Sequence, residues 1–423
     1  MINFLLKGVL RDKIRSVLSL IVIFLGVMFS TIMVGFMAGI FNDFIRVNAI
    51  LDAGHLKIMT RAYDELSDMA PNDLAIIGVD SIISDLEEKY PELYWTPRIK
   101  LGGLVDIPDE NGETKNQSPA IGIGIDLLSP GSNQAELLGI TKSLVRGRLP
   151  ESFNEALLSE EFSQKLGVAP GDKITLLSST MWGSFATYNF VLSGTLRFGI
   201  PAMDRSTLIV DIEGARLALD MDDASSEILG IFKDELYDEE RSEEIKSDFL
   251  GRQEMSEFGL LMIALRDQND IGLLMDRADI YIAFIIGIFV FLVVLVVWNF
   301  GLMNGLRRYG EIGIRLAMGE TKGHVYRTLL IESSIIGVIG TILGMMGGLS
   351  IVYYLQEVGI DYSDLLGEAN MLISGVMRAQ ITPGTYYVGV VPGLFASLLG
   401  TALAGRGIYK RELSQLFKEL ETW

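Results

Sequence analysis

Residues 310–332 read GEIGIRLAMGETKGHVYRTLLIE, a short charged segment between two long stretches without charge. Residues 280–306 precede it and residues 333–356 follow it, and neither stretch contains Asp, Glu, Lys or Arg. Two further uncharged stretches occupy residues 16–41 and 379–405. About 20 apolar residues, at about 1.5 Å rise per residue, cross a hydrocarbon core about 30 Å thick. All four stretches are longer than this, so they predict four transmembrane helices.

The distribution of Lys and Arg predicts on which side of the membrane each remaining segment lies. Basic residues outnumber acidic ones before the first stretch, after the second and in the C-terminal tail. Cytoplasmic segments carry this excess, so both termini are expected in the cytoplasm. The predicted order is a cytoplasmic amphipathic helix at 1–15, transmembrane helix 1 at 16–41, an extracytoplasmic domain at 42–279, transmembrane helix 2 at 280–306, a cytoplasmic segment at 307–327, transmembrane helix 3 at 328–356, an extracytoplasmic loop at 357–378, transmembrane helix 4 at 379–405 and a cytoplasmic tail at 406–423.

The large outside segment is acidic and has the pattern of a mixed α/β domain. Residues 42–279 hold 43 acidic and 21 basic residues, a net charge of −22 in a chain of net charge −19. This charge argues against a nucleic-acid partner. Asn111-Gly112 is typical of a turn between strands, while Ser159 and Gly167 are typical of the two ends of a helix. We predict an α-helical membrane protein with four transmembrane helices and a large mixed α/β domain inserted between helices 1 and 2.

The sequence contains few of the residues and motifs on which catalysis depends. It has no Cys, and its two His are His55 and His324. It lacks an H-E-x-x-H motif, a G-x-S-x-G motif and the G-x-x-x-x-G-K-[ST] loop that holds ATP phosphates. The acid-rich residues 234–244 are more typical of a solvated helix or loop than of a cation site. We predict a chain that is not an enzyme, has no catalytic residue and binds no metal or cofactor itself.

The quoted segment has the spacing of a helix with two different faces. Arg308, Glu311 and Arg315 fall on one face with alternating charge, and Ile314 and Met318 form an apolar ridge. Glycine at position 319 is expected to end this helix, and a second helix is expected to begin near residue 321. Two interpretations stay open from periodicity alone. One is an ordinary basic loop, and the other is a helix that fits a groove on a cytoplasmic partner.

Residues 307–350, RRYGEIGIRLAMGETKGHVYRTLLIESSIIGVIGTILGMMGGLS, closely resemble the signature of the FtsX/MacB-like permease family of ABC transporters. The outer segments at 146–176, 188–199 and 203–215 are similar to the domain of the lipoprotein-releasing Lol (LolC/LolE-type) permeases and the MacB permeases. The positions that match the signature are Arg308, Glu311, Ile312, Gly313, Arg315, Ala317, Met318, Gly319 and Glu332. Leu316 falls between the matched Arg315 and Ala317 and is not one of these positions.

The resemblance implies a non-catalytic permease subunit of the cytoplasmic (inner) membrane, with its large domain periplasmic or extracellular. A second copy or a paralogue would complete a dimer, and separate ABC ATPase subunits would bind ATP and Mg. Closure of those ATPases would press on the 307–327 segment and move the outside domains as levers. The coupling residues implied are Arg308, Glu311, Ile312, Arg315, Met318, Gly319 and Glu332.

Three functions within this family stay open. The first, favoured by the resemblance to the Lol permeases, is extraction of lipoprotein or lipid from the membrane for a periplasmic carrier. The second is a MacB-like lever for efflux of a periplasmic substrate through an adaptor, and the third is FtsX-like activation of a cell-wall hydrolase. The interval 177–187 is short and lacks proline, which argues against the Pro-rich hook with which one Lol permease holds its carrier.

An acyl-chain substrate would require an apolar site, which the resemblance places between helices 1 and 2 near their outer ends. The residues at that level are Phe36, Met37, Phe41, Phe44, Tyr281 and Phe284. Aromatic and Met side chains adapt to acyl chains, but they also form the aromatic belt at a membrane interface. Both interpretations stay open.

Small residues at four-residue spacing predict close helix packing. Helix 1 has Gly35 and Gly39, and helix 3 has Gly340, Gly344 and Gly348. Such stripes let helices approach backbone to backbone in lipid, either within one chain or across a dimer.

Overall fold

The computed structural model describes residues 13–109, 112–252, 259–268, 271–306, 309–361 and 376–410. Residue contacts divide the chain into two compact units. The membrane unit comprises Met1–Phe41, Arg277–Ile360 and Met377–Trp423, and the outer domain comprises Asn42–Asp276 with Asp361–Val376.

The helices within the described ranges vary from single turns to helices of membrane-spanning length. They are α1 (Lys13–Asn48), α2 (Arg61–Glu65), α3 (Val79–Lys89), α4 (Gln134–Leu137), α5 (Ile140–Ser143), α6 (Glu160–Leu166), α7 (Pro201–Asp204), α8 (Ile212–Leu219), α9 (Glu239–Leu250), α10 (Ile271–Leu306), α11 (Tyr309–Ala317), α12 (Lys322–Glu357), α13 (Pro383–Tyr387) and α14 (Ser397–Lys410). π-Helical turns occupy Ala49–Ala53 and Val391–Ala396, and 3₁₀ turns occupy Ser67–Met69, Asn72–Leu74 and Leu265–Asp267.

The strands follow one another through the outer domain. They are β1 (Leu56–Thr60), β2 (Ile76–Ile77), β3 (Leu93–Pro108), β4 (Thr114–Ile125), β5 (Leu144–Gly147), β6 (Glu155–Ser159), β7 (Lys173–Ser179), β8 (Phe185–Leu196), β9 (Thr207–Asp211), β10 (Ala224–Ser225), β11 (Glu227–Phe232), β12 (Leu260–Ala264), β13 (Ile360–Asp361) and β14 (Val376–Met377).

Four stretches of helix in the described chain are long and apolar enough to cross a membrane: Val17–Ala53, Ile271–Met303, Lys322–Glu357 and Pro383–Arg406. The helices extend beyond the uncharged stretches of the sequence. Helix α12, for example, begins at Lys322, although the third span was predicted to begin at residue 328. Lys, Arg and Glu favour helix as much as Leu does, so a change from charged to apolar residues does not end a helix. Pro392 lies in the π-helical turn of the fourth stretch, where the sequence predicts a kink.

The outer domain is built around one ten-stranded mixed sheet. Its strand order is β12-β1-β11-β3-β4-β9-β6-β8-β5, and β7 pairs with β3 and β8. Pairs β4–β9 and β6–β8 are parallel, whereas the other pairs of this sheet are antiparallel. Strands β3 and β4 pair from Arg98 with Ile125 to Pro108 with Thr114, which confirms the predicted hairpin. Residues 110–111 of its turn lie outside the described ranges.

Two of the three apolar cores described in the outer domain come from different parts of the chain. One core contains Leu56, Trp95, Phe232 and Met262, and so joins the beginning of the domain to its end. The other contains Phe162 and Phe190 and comes from the middle of the domain.

The predicted helix between Ser159 and Gly167 is confirmed, but its N-terminal cap differs from the expectation. Ser159 occupies the cap position, yet its hydroxyl donates to the carbonyl oxygen of Asp204 at 2.7 Å and makes no capping bond. Gly167 ends the helix at φ 72°, in the left-handed region that glycine favours.

Candidate functional site

Helix α11 contains three of the seven predicted coupling residues, Glu311, Ile312 and Arg315, and ends as the sequence predicts. Gly319 has φ 92°. Its N–H donates to the Leu316 carbonyl at 3.1 Å, and the Glu320 N–H donates to the Arg315 carbonyl at 3.1 Å. These two bonds form a Schellman motif, which satisfies the last carbonyls of the helix. Thr321 then caps α12, its side chain accepting from the His324 N–H. The predicted end at residue 319 and the new start near residue 321 are both confirmed.

One face of α11 is buried against the beginning of α12. Ile312 is 2% exposed and forms an apolar cluster with Val325 and Leu329, on which Leu316 also packs. Sequence reasoning identified Ile312 but missed Val325 and Leu329. Their i, i+4 spacing within the quoted segment was the signal that could have revealed them.

The opposite face of α11 is exposed and partly apolar. Ile314 is 49% exposed and Met318 is 73% exposed, so the predicted ridge lies on the surface of this chain. Glu311 is also exposed, and Arg315 is half-buried. Arg308 lies outside the described residues. The helix therefore combines a buried face, which packs on α12, with an exposed face that carries both apolar and charged side chains.

Glu332, the seventh predicted coupling residue, lies away from α11 in the helix bundle. It is buried and lines a small cavity together with Ser19, Ser333, Ser397 and Thr401. The Thr401 hydroxyl donates to Ser333 Oγ at 2.9 Å, and the Ser333 hydroxyl donates to the Ser397 carbonyl at 3.2 Å. Sequence reasoning missed this hydroxyl cluster, because its members are scattered over three helices.

The predicted lipid-binding residues differ in their exposure. Tyr281 and Phe284 are exposed, at 64% and 66%, and Phe44 is exposed at 46%. Phe36, Met37 and Phe41 are half-buried. None of the apolar clusters among the described residues includes any of the six. The acyl-chain site therefore stays a prediction.

The glycine stripe of α12 lies against α1 within the same chain. A Cβ on Gly340 would lie 2.7 Å from Ile23 Cγ2, and one on Gly344 would lie 2.7 Å from the Phe24 carbonyl oxygen. A Cβ on Gly348 would lie 2.7 Å from Thr31 Cβ. In α1, Gly35 lies against Val352, and Gly39 lies against the Arg378 backbone. These glycines thus pack the helices of one membrane unit.

A family model, the FtsX-like permease C-terminal domain, matches residues 283–413. This match includes α11, all of α12 and the apolar ridge of Ile314 and Met318.

Curated relatives match other lengths of the chain. The lipoprotein-releasing system transmembrane protein LolC of Xylella fastidiosa is 26% identical over 218 residues, which cover 49% of this chain and 50% of that protein. The macrolide export ATP-binding/permease protein MacB of Campylobacter jejuni is 29% identical over 108 residues, which cover 24% of this chain and 16% of that protein. The chain thus spans about half the length of the LolC relatives it matches.

This chain also matches a solved structure, the periplasmic region of MacB from Actinobacillus actinomycetemcomitans, at 13% sequence identity and a TM-score of 0.35. The match covers 54% of this chain and 97% of the solved chain.

The sequence matches confirm the resemblance to the FtsX/MacB-like permeases. This chain carries an FtsX-like permease C-terminal domain at residues 283–413 and has LolC and MacB among its homologues.

Proposed function

We propose that this chain is the permease subunit of an ABC transporter that couples ATP hydrolysis in a separate ATPase to motion of its outer domain. The observation that carries the proposal is the two-sided helix α11. Ile312 fixes it to α12, and Ile314 and Met318 remain exposed. A force applied to this exposed face would be passed to α12 through packed side chains, which resist compression.

The exposed face suits a partner that offers a hydrophobic groove with charged edges. Apolar residues four apart on a helix act as anchors in such grooves, and Met adapts its shape to the partner. Glu311 and Arg315 flank the ridge and would set the orientation of docking. Two copies of this chain, or one copy and a paralogue, would present two such helices to two ATPase subunits.

The experiment uses the full chain, co-expressed with its ATPase and reconstituted in lipid nanodiscs. The double variant Ile314→Asp, Met318→Asp is expected to lose ATPase co-purification, because it places charges in the apolar contact. The pair Glu311→Lys, Arg315→Glu is expected to lower permease-dependent ATP hydrolysis. Phe153→Asp is the matched control, since Phe153 is also 49% exposed but lies in the outer domain. Normal ATPase binding and coupling in both α11 variants would refute the proposal.

For the substrate, we propose lipoprotein or lipid drawn from the outer leaflet of the inner membrane, with both termini cytoplasmic and the large domain periplasmic. The support is that LolC, a protein of a lipoprotein-releasing system, matches 49% of this chain, whereas the Campylobacter MacB matches 24%. Exposed Tyr281 and Phe284 on α10 are suited to contact acyl chains.

Mass spectrometry of the purified complex tests the substrate. Acylated protein or lipid that is retained by the natural chain and reduced by Tyr281→Ser, Phe284→Ser supports extraction. Co-purification of a periplasmic adaptor with no acylated species would instead favour a MacB-like lever. A cell-wall hydrolase bound to the outer domain would favour an FtsX-like activator.

A further inference from the structure

The end of α1 leaves several backbone carbonyls without a partner inside the helix. The helix runs into the π-helical turn Ala49–Ala53, and the chain then enters β1. The Gly54 N–H closes the turn on the Ala49 carbonyl at 2.7 Å. The next amide, that of His55, instead donates to the Gly230 carbonyl in β11 at 2.8 Å. Because the last carbonyls of a helix have no donor within it, those that follow Ala49 need donors from other segments.

Two buried side chains supply these donors. Nη1 of Arg98, in β3, donates to the Leu51 carbonyl at 2.5 Å and to the Ile50 carbonyl at 3.4 Å. Nε2 of Gln268 donates to the Ala53 carbonyl at 3.0 Å. Arg98 is 1% exposed and Gln268 is 4% exposed. A positive charge at the C-terminal end of a helix also complements the helix dipole. Arg98 therefore caps the end of α1 from a strand that is distant in sequence.

Lys100 binds the same turn through the acidic side chain of Asp52. Lys100 Nζ lies 2.7 Å from Asp52 Oδ1 and 3.1 Å from Glu227 Oε1 in β11. Residues two apart on a strand face the same side of the sheet, so Arg98 and Lys100 both reach the turn from one face of β3. Residues 50–52 are thus bound to β3 at two separate positions. Two attachments prevent the turn from pivoting about either one.

Strand β3 is well placed to spread a movement of this turn. It is 16 residues long and pairs with β11, β4 and β7. Leu93 and Trp95 belong to one apolar core of the outer domain, and Ile99 and Leu101 belong to another. Close-packed interiors transmit strain because they compress little. A displacement of residues 50–52 would therefore reach both cores through one strand.

We propose that Arg98 and Lys100 are the positioning residues through which movement of α1 enters the outer domain. They act through the π-helical turn on one side and through β3 on the other. The proposal rests on the proposed transport function, because it names the path by which movement leaves α1. It assigns this role to the buried contacts at residues 50–52 and not to Arg46, whose ion pair with Glu235 is partly exposed.

Pulsed EPR on the full chain with its ATPase in lipid nanodiscs tests the proposal. Because the chain has no Cys, spin labels can be attached through Glu87→Cys in the outer domain and Glu357→Cys in the membrane unit. Both positions are exposed. The distance between the labels is measured with and without ATP and vanadate. The labelled chain without further substitutions is expected to show a nucleotide-dependent shift of this distance.

Arg98→Met is expected to retain ATP hydrolysis but to lose the distance shift. The apolar side chain is of similar length but leaves the Ile50 and Leu51 carbonyls without a donor. Arg98→Lys retains a cation at the end of the helix and should retain part of the shift. Arg46→Met is the matched control, because exposed ion pairs such as Arg46–Glu235 contribute little. Its shift should equal that of the labelled chain without further substitutions.

Asp52→Asn keeps the test decisive if Arg98→Met does not fold. The Asp52 side chain is 49% exposed, so an amide is tolerated there, but the charge that pairs with Lys100 is lost. The distance shift should decrease in this variant. Leu86→Ala destabilises the same domain by removing a buried side chain away from the turn. It is expected to leave the shift unchanged.

The outcomes separate this proposal from the proposed function. An unchanged shift in Asp52→Asn and in every Arg98 variant that folds would overturn the role of β3 and leave the proposed function intact. An equal loss of the shift in Leu86→Ala would assign the effect to lower stability and would also overturn that role. ATP hydrolysis without any distance shift in the labelled chain itself would refute the proposed function, and the role of β3 with it.

Discussion

Ile312 of α11 packs with Val325 of α12, and their side chains are 2% and 0% exposed. This contact packs the nine-residue helix α11 onto the beginning of α12. An isolated helix of that length is not stable in water, so its order depends on this apolar packing.

Ile312→Ala is expected to release α11 from α12. Truncation of a buried Ile costs about 2–5 kcal/mol through lost burial and the cavity left behind. Hydrogen exchange of the 309–317 amides should become faster, and ATPase coupling should fall. Ile314→Ala, on the exposed face, should leave the exchange rates unchanged. Equal exchange in the two variants would contradict the assigned faces.

Gly319→Ala is expected to disturb the turn between α11 and α12. At φ 92°, an added Cβ comes too close to the following carbonyl oxygen, which destabilises this backbone conformation by about 1–2 kcal/mol. The variant should lower coupling without loss of ATPase binding, because the ridge is intact but its angle to α12 changes. Gly287→Ala is the control, since a Cβ at that helical position would meet no described atom within 4 Å outside the nearby backbone of its own helix. Normal coupling in Gly319→Ala would show that the turn geometry is not needed.

The glycines of α12 differ in how much space surrounds them. A Cβ at Gly344 would lie 2.7 Å from a backbone oxygen, whereas at Gly347 the nearest atoms are at 3.4 Å. Gly344→Ala should therefore destabilise the bundle by about 1–3 kcal/mol. Gly347→Ala should be neutral or slightly stabilising, because Ala favours helix over Gly. Denaturation of the full chain in micelles measures the stability of both variants. A larger loss of stability in Gly347→Ala than in Gly344→Ala would argue against the α1–α12 contact.

His55 should make the outer domain sensitive to acid. Its Nδ1 accepts from the Phe232 N–H at 3.0 Å. Burial lowers the pKa of His55 from 6.5 to about 4, although Asp234 and Glu235 oppose the shift. The unfolded chain therefore binds a proton that the folded chain excludes. The free energy of unfolding should fall by about 3 kcal/mol as pH decreases from about 6.5 to about 4.

Thermal unfolding at several pH values tests this expectation. His55→Asn keeps a hydrogen-bond acceptor near the Phe232 N–H but does not titrate, so its unfolding temperature should depend less on pH in this range. His324→Asn serves as the control, because His324 is exposed at the beginning of α12. An unchanged pH dependence in His55→Asn would assign the acid sensitivity to other groups.

Glu227→Gln should destabilise the outer domain. Glu227 is 1% exposed and pairs with both Lys57 and Lys100. Removing one partner of a buried ion pair costs about 3–5 kcal/mol, because the remaining charge stays buried. Glu213→Gln changes an exposed carboxylate that pairs with Arg216. It should lower the free energy of unfolding by less than about 1 kcal/mol. Denaturant unfolding distinguishes the two, and similar losses would contradict the buried network.

The sequence by itself determined the features that depend on local chemistry. Long uncharged stretches indicate membrane helices because unpaired backbone groups and charges are costly in hydrocarbon. Gly319 ends α11 because glycine adopts a positive φ without strain. The ridge of Ile314 and Met318 follows from helical periodicity, which needs no knowledge of the rest of the fold.

Only the tertiary structure decided which distant residues meet. A pattern of residues cannot show that β1, β11 and β3 are neighbours, and this strand order brings Lys57, Glu227 and Arg98 together. Arg is usually exposed, so its burial in β3 could not be expected from the sequence. The same holds for the hydroxyls around Glu332. Their positions are set by contacts between distant segments, whose stability comes from burial and charge pairing that exist only in the folded chain.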